Sequence, residues 1–209
     1  MNGWDILIAS LWSRTDTLIK LLETLEPQLS EDAQVIVARD NATEPIGTKR
    51  QRLLEASDAS YCNFVDDDDM VSDNYVGAIT IALLSQPDVV NFRVAYSIDG
   101  VPQDSVVHSL DKKRGGYKKD GVPGRLIGAF THLSPMKRDL ARSAKFDGDY
   151  GEDGRWSTAI DETGLVKSEA FINEILYHYR WSTDNHFGQT SPIDTAEPQV
   201  PEFPFVRYV

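Results

Sequence analysis

Apolar positions along the first ninety or so residues fall into two alternating periods. Trp4-Asp5-Ile6-Leu7-Ile8-Ala9-Ser10-Leu11 is nearly continuous, the pattern of a strand covered on both faces in a parallel sheet. Leu18, Leu21, Leu22 and Leu25 then recur at i, i+3, i+4 and i+7, a one-faced helix that Pro27 helps to end. Gln34-Val35-Ile36-Val37-Ala38 predicts a second buried strand, running into Arg39-Asp40-Asn41. Gly47-Thr48-Lys49-Arg50-Gln51 opens another helix, with Thr48 and Gln51 spaced as a capping box and Leu53 and Leu54 as its apolar face. A short strand, Tyr61 to Val65, follows, then a helix that Ser72 is placed to cap, with Val76, Ile79 and Leu83 on one face and Pro87 at its close.

Beyond Pro87 the texture changes. Val89 to Tyr96 and Ser105 to His108 flank Asp99-Gly100, a dipeptide typical of tight hairpins. Glycines and Pro123 make the stretch from Asp111 to Arg125 a loop. Ala129 to Leu133 reads as a short strand, and Ser134-Pro135 as the start of a helix to about Ala141. Glu152 and Asp153 stand at a helix start, and a strong strand runs from Phe171 to about Tyr179. The expected fold is α/β: one domain over residues 1–181, with a mixed central sheet parallel in its N-terminal half and antiparallel in its C-terminal elements. Pro192, Pro198, Pro201 and Pro204 predict an extended tail over 182–209, and its aromatics Phe203, Phe205 and Tyr208 imply that it packs on something.

Composition narrows the function. With 209 residues and 41% of them hydrophobic, the chain supports one well-packed core. A net charge of -12 argues against a broad basic surface for nucleic acid or anionic membrane. The single cysteine, Cys62, lies inside an apolar strand, so no disulfide is expected. Asp5, Arg14 and Asp16 interrupt any leader or membrane span at the start, which predicts a cytoplasmic protein with no membrane partner.

Against this background Asp66, Asp67, Asp68 and Asp69 stand out at the end of a strand. Adjacent carboxylates repel, so a fold keeps them together only if they are solvated or share a cation. Oxygen ligands of this kind suit Mg²⁺ or Mn²⁺ bridged to a phosphate, and ligands in open α/β sheets sit at strand carboxyl ends. The plain alternative is a solvated acidic turn. Lys49 and Arg50 at a helix amino terminus either attract phosphate or are ordinary surface charges. Lys112, Lys113, Arg114, Lys118, Lys119 and Arg125 reverse the local balance and offer a grip on a diphosphate or a nucleic-acid backbone. For Glu152 and Asp153, a stabilising role at the helix dipole stands beside chemistry.

Taken together, these segments resemble nucleotide-sugar glycosyltransferases of the GT-A fold, close to family 2, and within them small phage-encoded members. The likeness covers roughly residues 4–181. It implies that Asp66, Asp67 and Asp68 hold the family's Asp-x-Asp motif, with Asp66 toward ribose and metal, Asp68 on the metal, and Asp69 as the extra acid found after it. Asp40 matches the residue that bonds uracil. Ile46 to Leu54 is similar to a Gly-x-Lys-Arg-Asn helix beside the nucleotide, with Gln51 in place of Asn, so Lys49 and Arg50 carry over; Arg14 is grouped with them on the donor. Thr131-His132-Leu133-Ser134-Pro135 resembles an acceptor-side segment, placing His132 there. Gly151-Glu152-Asp153 with Trp156 looks like the acidic motif whose aspartate is the base in inverting members, with Glu152 as the alternative. His178 is similar to a late-strand histidine that completes the metal shell. The resemblance thus implies Mn²⁺ or Mg²⁺, a UDP-sugar donor and inverting transfer to a hydroxyl. Its phage side adds a hydroxylated DNA base as acceptor in a host cytoplasm, beside protein, glycan or cell-wall acceptors. Two rivals remain: a nucleotidyltransferase, for which Ser10 to Arg14 lacks the usual glycines, and an inactive binding module, which need not keep both acidic groups.

Overall fold

The computed structural model describes residues 3–111, 124–183 and 205–208. Strand β1 (Trp4–Leu11) passes through a 3-10 turn, Trp12–Arg14, into helix α1 (Thr15–Leu25). β2 (Ala33–Asp40) lies parallel to β1, pairing Trp4 with Ala33 through Leu11 with Asp40. α2 (Ile46–Ala56) then leads to β3 (Tyr61–Phe64), parallel to β1 on its other side. This is the βαβαβ beginning that the two periods predict.

There follow β4 (Met70–Val71), α3 (Tyr75–Leu83), β5 (Val89–Ile98), β6 (Val101–Pro102), β7 (Ser105–His108) and β8 (Gly124–Gly128). The chain continues with β9 (Met136–Lys137), α4 (Arg138–Ala141), α5 (Glu152–Thr163), β10 (Glu169–Trp181) and β11 (Val206–Tyr208). The main sheet runs β11-β2-β1-β3-β9-β5-β10-β4, with β6 and β7 on β5 and β8 on β7. β9 is antiparallel to both its neighbours, while the long β10 is antiparallel to β4 and parallel to β5. The hairpin between β5 and β6 turns at Asp99 and Gly100, with φ of 48° and 78°, the left-handed pair that a two-residue turn requires.

Alternation along the strands divides the core into two layers. Ile6, Ile8, Val35 and Val37 pack with the four buried leucines of α1 and with Tyr75, Val76, Ile79 and Leu83 of α3. Leu7, Ile36 and Ala38 point the other way, toward Leu53 and Leu54 of α2 and Trp156 and Ile160 of α5. Each buried leucine of α1 is worth roughly 1.5–3 kcal/mol relative to exposure, so helix and sheet are held by the same residues that set the period.

Several local expectations are corrected. Helix α2 begins at Ile46, after Pro45, so Thr48 lies in its first turn and caps nothing; the Gln51 side chain instead accepts from the backbone of Phe146. Helix α3 begins at Tyr75, and Ser72 contributes its carbonyl rather than its hydroxyl to that start. Ala129 to Leu133 is not a strand. The backbone here bridges other elements: the His132 carbonyl accepts from Phe64, and just beyond the segment the Pro135 carbonyl accepts from Val90. The chain's end pairs in the sheet: Val206–Tyr208 is antiparallel to β2, and Phe205 lies under the Arg52 guanidinium.

Candidate active site

The carboxyl ends of β1, β2 and β3 open on one cleft, and the four aspartates leave β3 at its centre. Each meets a different partner. Asp66 accepts from the Arg50 guanidinium at 2.5 Å and lies 3.2 Å from His132 Nε2. Asp67 is 2% exposed and accepts from Arg14 at 2.8 Å. Asp68, the more open, shares the same Arg14 nitrogen at 3.0 Å. Asp69 is buried and accepts from the Tyr177 hydroxyl at 2.8 Å and the Arg180 amide at 2.7 Å, while the Asp66 amide donates to that same hydroxyl.

These partners decide the protonation. Burial pushes the Asp66 carboxyl up, yet Arg50 and then His132 outweigh it and hold it well below the usual range. Burial raises Asp68 and only partly yields to Arg14. Asp69 rises to about 8, through burial and the neighbouring charge of Asp66, so it serves as an anchor for β10 rather than as a free charge.

The second acidic centre stands at the start of α5, where Gly151 takes φ of 81° to admit the chain. Arg50, 6% exposed, bridges the two centres, donating to Glu152 with one nitrogen and to Asp66 with the other. His132 spans them a second time: its Nδ1 lies 3.3 Å from Asp153 and its Nε2 faces Asp66. Burial and Arg50 lower the His132 pKa, but Asp66 and Asp153 prevail and raise it above the ordinary value. Asp153 is raised by burial and lowered more by His132, a net fall that keeps it ionised. Glu152 is buried and paired, whereas the Asp153 side chain remains 38% exposed. Of the two, Asp153 alone can meet a substrate.

Lys49 and Asp40, both assigned from the sequence to the donor, are brought together with each other. Lys49 donates to Asp40 and to the Ser10 carbonyl, and the second Asp40 oxygen accepts from Thr43 and Glu44. Both are buried, so neither is offered to solvent. The close approach of α2 to the turn before α5 depends on Gly47, whose amide donates to the Gly148 carbonyl at 3.0 Å.

His178 is not brought to the aspartates. Successive strand residues face opposite sides, and Tyr177 spends the inward position on Asp66 and Asp69, leaving His178 exposed on the other face. Period two along Tyr177-His178-Tyr179 was the signal that singles out the tyrosines. Lys112, Lys113, Arg114, Lys118 and Lys119 lie outside the described residues. Two further groups belong to the cleft without a sequence signal. Arg180 donates to the Asp68 carbonyl at 2.6 Å, fixing the turn. His108, at a register shift between β7 and β8, has a buried Nδ1 with no partner among the described residues. Burial and the charge of His132 lower its pKa to about 4 against Asp153, so the ring is neutral near pH 7.

Among the described residues no three carboxylate, imidazole or thiolate groups converge as a closed metal cage. The residues fit a different kind of site. Asp66 and Asp68 are both partly open, their side chains 23% and 33% exposed, an oxygen-only set for Mg²⁺ or Mn²⁺, which take one or two carboxylates and complete their shell with phosphate and water. No helix among the described residues is long and apolar enough to cross a membrane.

No protein-family model and no curated protein sequence matches the chain. Solved structures do. S. aureus TarS 1-349 in complex with UDP-GlcNAc is similar with a TM-score of 0.66 at 13% identity, over 85% of this chain and 58% of that one. Glucosyl-3-phosphoglycerate synthase from Mycobacterium tuberculosis, in complex with Mn²⁺, UDP and glucosyl-3-phosphoglycerate, is similar with a TM-score of 0.57 at 15% identity, over 90% and 75% of the two chains. The same enzyme with Mg²⁺ and UDP gives 0.55 at 14% identity, over 90% and 74%. This chain therefore spans 58% of the length of the TarS fragment. Likeness at these identities shows the fold, the mixed α/β architecture of GT-A glycosyltransferases.

Proposed function

We propose that this GT-A domain is a metal-dependent glycosyltransferase that moves a sugar from a UDP-sugar to an acceptor hydroxyl, with inversion. The observation that carries the reading is the double bridge: Arg50 joins Asp66 to Glu152, and His132 joins Asp66 to Asp153, so two acidic centres face one cleft at fixed separation. A structural acidic turn does not need that coupling. The UDP, UDP-GlcNAc and Mn²⁺ or Mg²⁺ bound in the similar structures support the donor class.

In this reading Asp66 and Asp68 would hold a divalent ion against the donor diphosphate. When bound, that ion supplies Lewis-acid neutralisation of the departing diphosphate. Asp153 takes the proton of the acceptor hydroxyl as its oxygen forms a bond to the anomeric carbon. The bond from that carbon to the diphosphate oxygen breaks on the opposite side, its electron pair leaving with UDP, so configuration inverts. A carboxylate held as low as Asp153 is a weak base. Its proton transfer therefore runs late, once bond formation has made the hydroxyl acidic. His132 keeps the carboxylate pointed at the cleft, and Glu152, already neutralised by Arg50, stays out of the reaction.

The acceptor we favour is a hydroxylated base on DNA, because the basic stretch from Lys112 to Arg125 is the strongest local reversal of charge in an acidic chain. Acceptor binding that weakens steeply with salt supports this, and indifference to salt refutes it.

Thermal unfolding with UDP, with and without Mn²⁺, tests the donor site. At a hundredfold excess over Kd the complex gains about 2.7 kcal/mol, a shift of several degrees for a domain of this size. No shift with any nucleotide and metal would turn the reading toward an inactive binding module. Asp153→Asn is expected to keep that shift while turnover falls about 10²-fold or more; normal transfer by the variant removes Asp153 from the mechanism.

A further inference from the structure

Arg14 occupies an unusual position for a residue counted among donor contacts. One guanidinium nitrogen lies 2.8 Å from Asp67 Oδ1 and 3.0 Å from Asp68 Oδ2, between two consecutive carboxylates. Asp67 is 2% exposed and its other oxygen has no partner among the described residues, so without a cation this carboxylate is untenable where it sits. Arg14 supplies that cation in the donor-free protein. The same contact withholds Asp68, since a divalent ion on its oxygens would stand within a few ångströms of the guanidinium. Both cannot hold Asp68 at once. Room for exchange exists: a cavity of about 220 Å³ lined by Ser13, Arg14, Asp16, Thr17 and Asp68 adjoins the pair.

We propose that Arg14 is an exchangeable counterion of the donor site. It holds Asp67 and Asp68 in the empty protein, and leaves Asp68 when a divalent ion arrives with the nucleotide diphosphate, which then receives the guanidinium. Arg14 stays on Asp67 throughout, so the turn is never without positive charge. The inference rests on the donor-site reading above. It adds an order: metal alone competes with Arg14, whereas metal with diphosphate does not, because the diphosphate gives the guanidinium a new partner.

The test is Mn²⁺ binding, followed by the electron paramagnetic resonance of free Mn²⁺, with and without UDP. Wild type is expected to bind Mn²⁺ weakly alone and much more tightly with UDP. Arg14→Gln is expected to bind Mn²⁺ alone about tenfold more tightly than wild type, or better, and to gain less from UDP. Arg14→Lys keeps the charge but not the two-oxygen contact, so a smaller change of the same sign reports the contact rather than the general field. It also serves if Arg14→Gln does not fold. Unchanged Mn²⁺ affinity in both variants, with UDP-dependent binding intact in wild type, overturns the exchange and leaves the donor site standing. Wild type that binds no Mn²⁺ even with UDP overturns both.

Discussion

Gly47→Ala is a one-methyl probe of how the two halves of the cleft are joined. A Cβ at this position would lie 2.6 Å from the Gly148 carbonyl oxygen and 2.9 and 3.0 Å from the carbonyl carbon and oxygen of Asp147. Ordinary contact begins near 3.4 Å, so the turn must retreat by roughly 0.8 Å. All three atoms are backbone, and no rotamer change relieves them. The hydrogen bond from the Gly47 amide to Gly148 stretches by the same movement. Overpacking of this kind costs about 1–3 kcal/mol, which for a domain of this length lowers Tm by roughly 3–10 °C. The retreating turn leads into α5, so the Arg50 bridge to Glu152 and the His132 contact with Asp153 move with it. A displacement near 1 Å can cost about 10²-fold in rate, so turnover is expected to fall further than stability alone explains. Gly77→Ala is the control. Among the described residues nothing lies within 4 Å of its added Cβ, and alanine in α3 should stabilise by about 0.5–1 kcal/mol. Thermal melts of both variants decide the matter: equal Tm values, or a Gly47→Ala protein as stable as wild type, refute this account of the glycine.

Further outcomes follow from the same geometry. Arg50→Met leaves Glu152 and Asp66 without their shared cation, at a cost of about 3–5 kcal/mol in urea unfolding, and adding Glu152→Gln should recover part of it; strict additivity would deny the bridge. Tyr177→Phe removes the donor to Asp69 and the acceptor for the Asp66 amide, costing about 1–3 kcal/mol and weakening Mn²⁺-dependent UDP binding; a variant with wild-type affinity would show that Tyr177 does not position Asp66. Asp88 gives a pH signature: burial raises its carboxyl, but Lys137 at 2.8 Å and the amides of Lys167 and Ser168 bring it down to about 2. The unfolded chain binds that proton first, so this contribution of about 2 kcal/mol is complete above the ordinary value of 3.8 and is lost as pH falls toward 2. Asp88→Asn should flatten that part of the stability profile, and an unchanged slope would contradict the assignment.

What the sequence disclosed and what it withheld have a common cause. Strand and helix periods are local, and they predicted β1 through α3 because Ile6 and Leu7, or Leu18 and Leu22, declare their layer within a few residues. The run of carboxylates at a strand end marked Asp66 as chemistry, and the family resemblance marked Asp153. Neither disclosed that His132 lies against both, since 66 residues separate it from Asp66, and no local pattern encodes a contact of that range. Cations misled for the same reason. Lys49 reads as a free charge at a helix start, but its helix begins earlier, after Pro45, and turns it inward to Asp40. His178 looked like the ligand in its tripeptide until strand alternation gave the inward position to Tyr177.

That arrangement of charge bears on why the proposed donor site would need a divalent ion. The chain carries a net charge of -12, and a UDP-sugar brings further negative charge to a cleft already holding Asp66, Asp67, Asp68 and Asp153. The basic groups of the described cleft are engaged: Lys49 by Asp40, Arg50 by Asp66 and Glu152, Arg14 by Asp67 and Asp68, and Arg180 by the backbone carbonyl of Asp68. Lys49 and Arg50 are buried, so freeing either strips a buried carboxylate of its partner, several kcal/mol against binding. Of the three cations paired with carboxylates, Arg14, one quarter exposed, is the least costly to move, and moving it helps only if Asp68 receives another cation. A metal-free site would therefore bind uridine, which is neutral, better than UDP, and Mn²⁺ should invert that order. Measuring both ligands by calorimetry with and without Mn²⁺ checks the sign directly, and UDP that binds more tightly than uridine without metal would place an unengaged cation in the cleft.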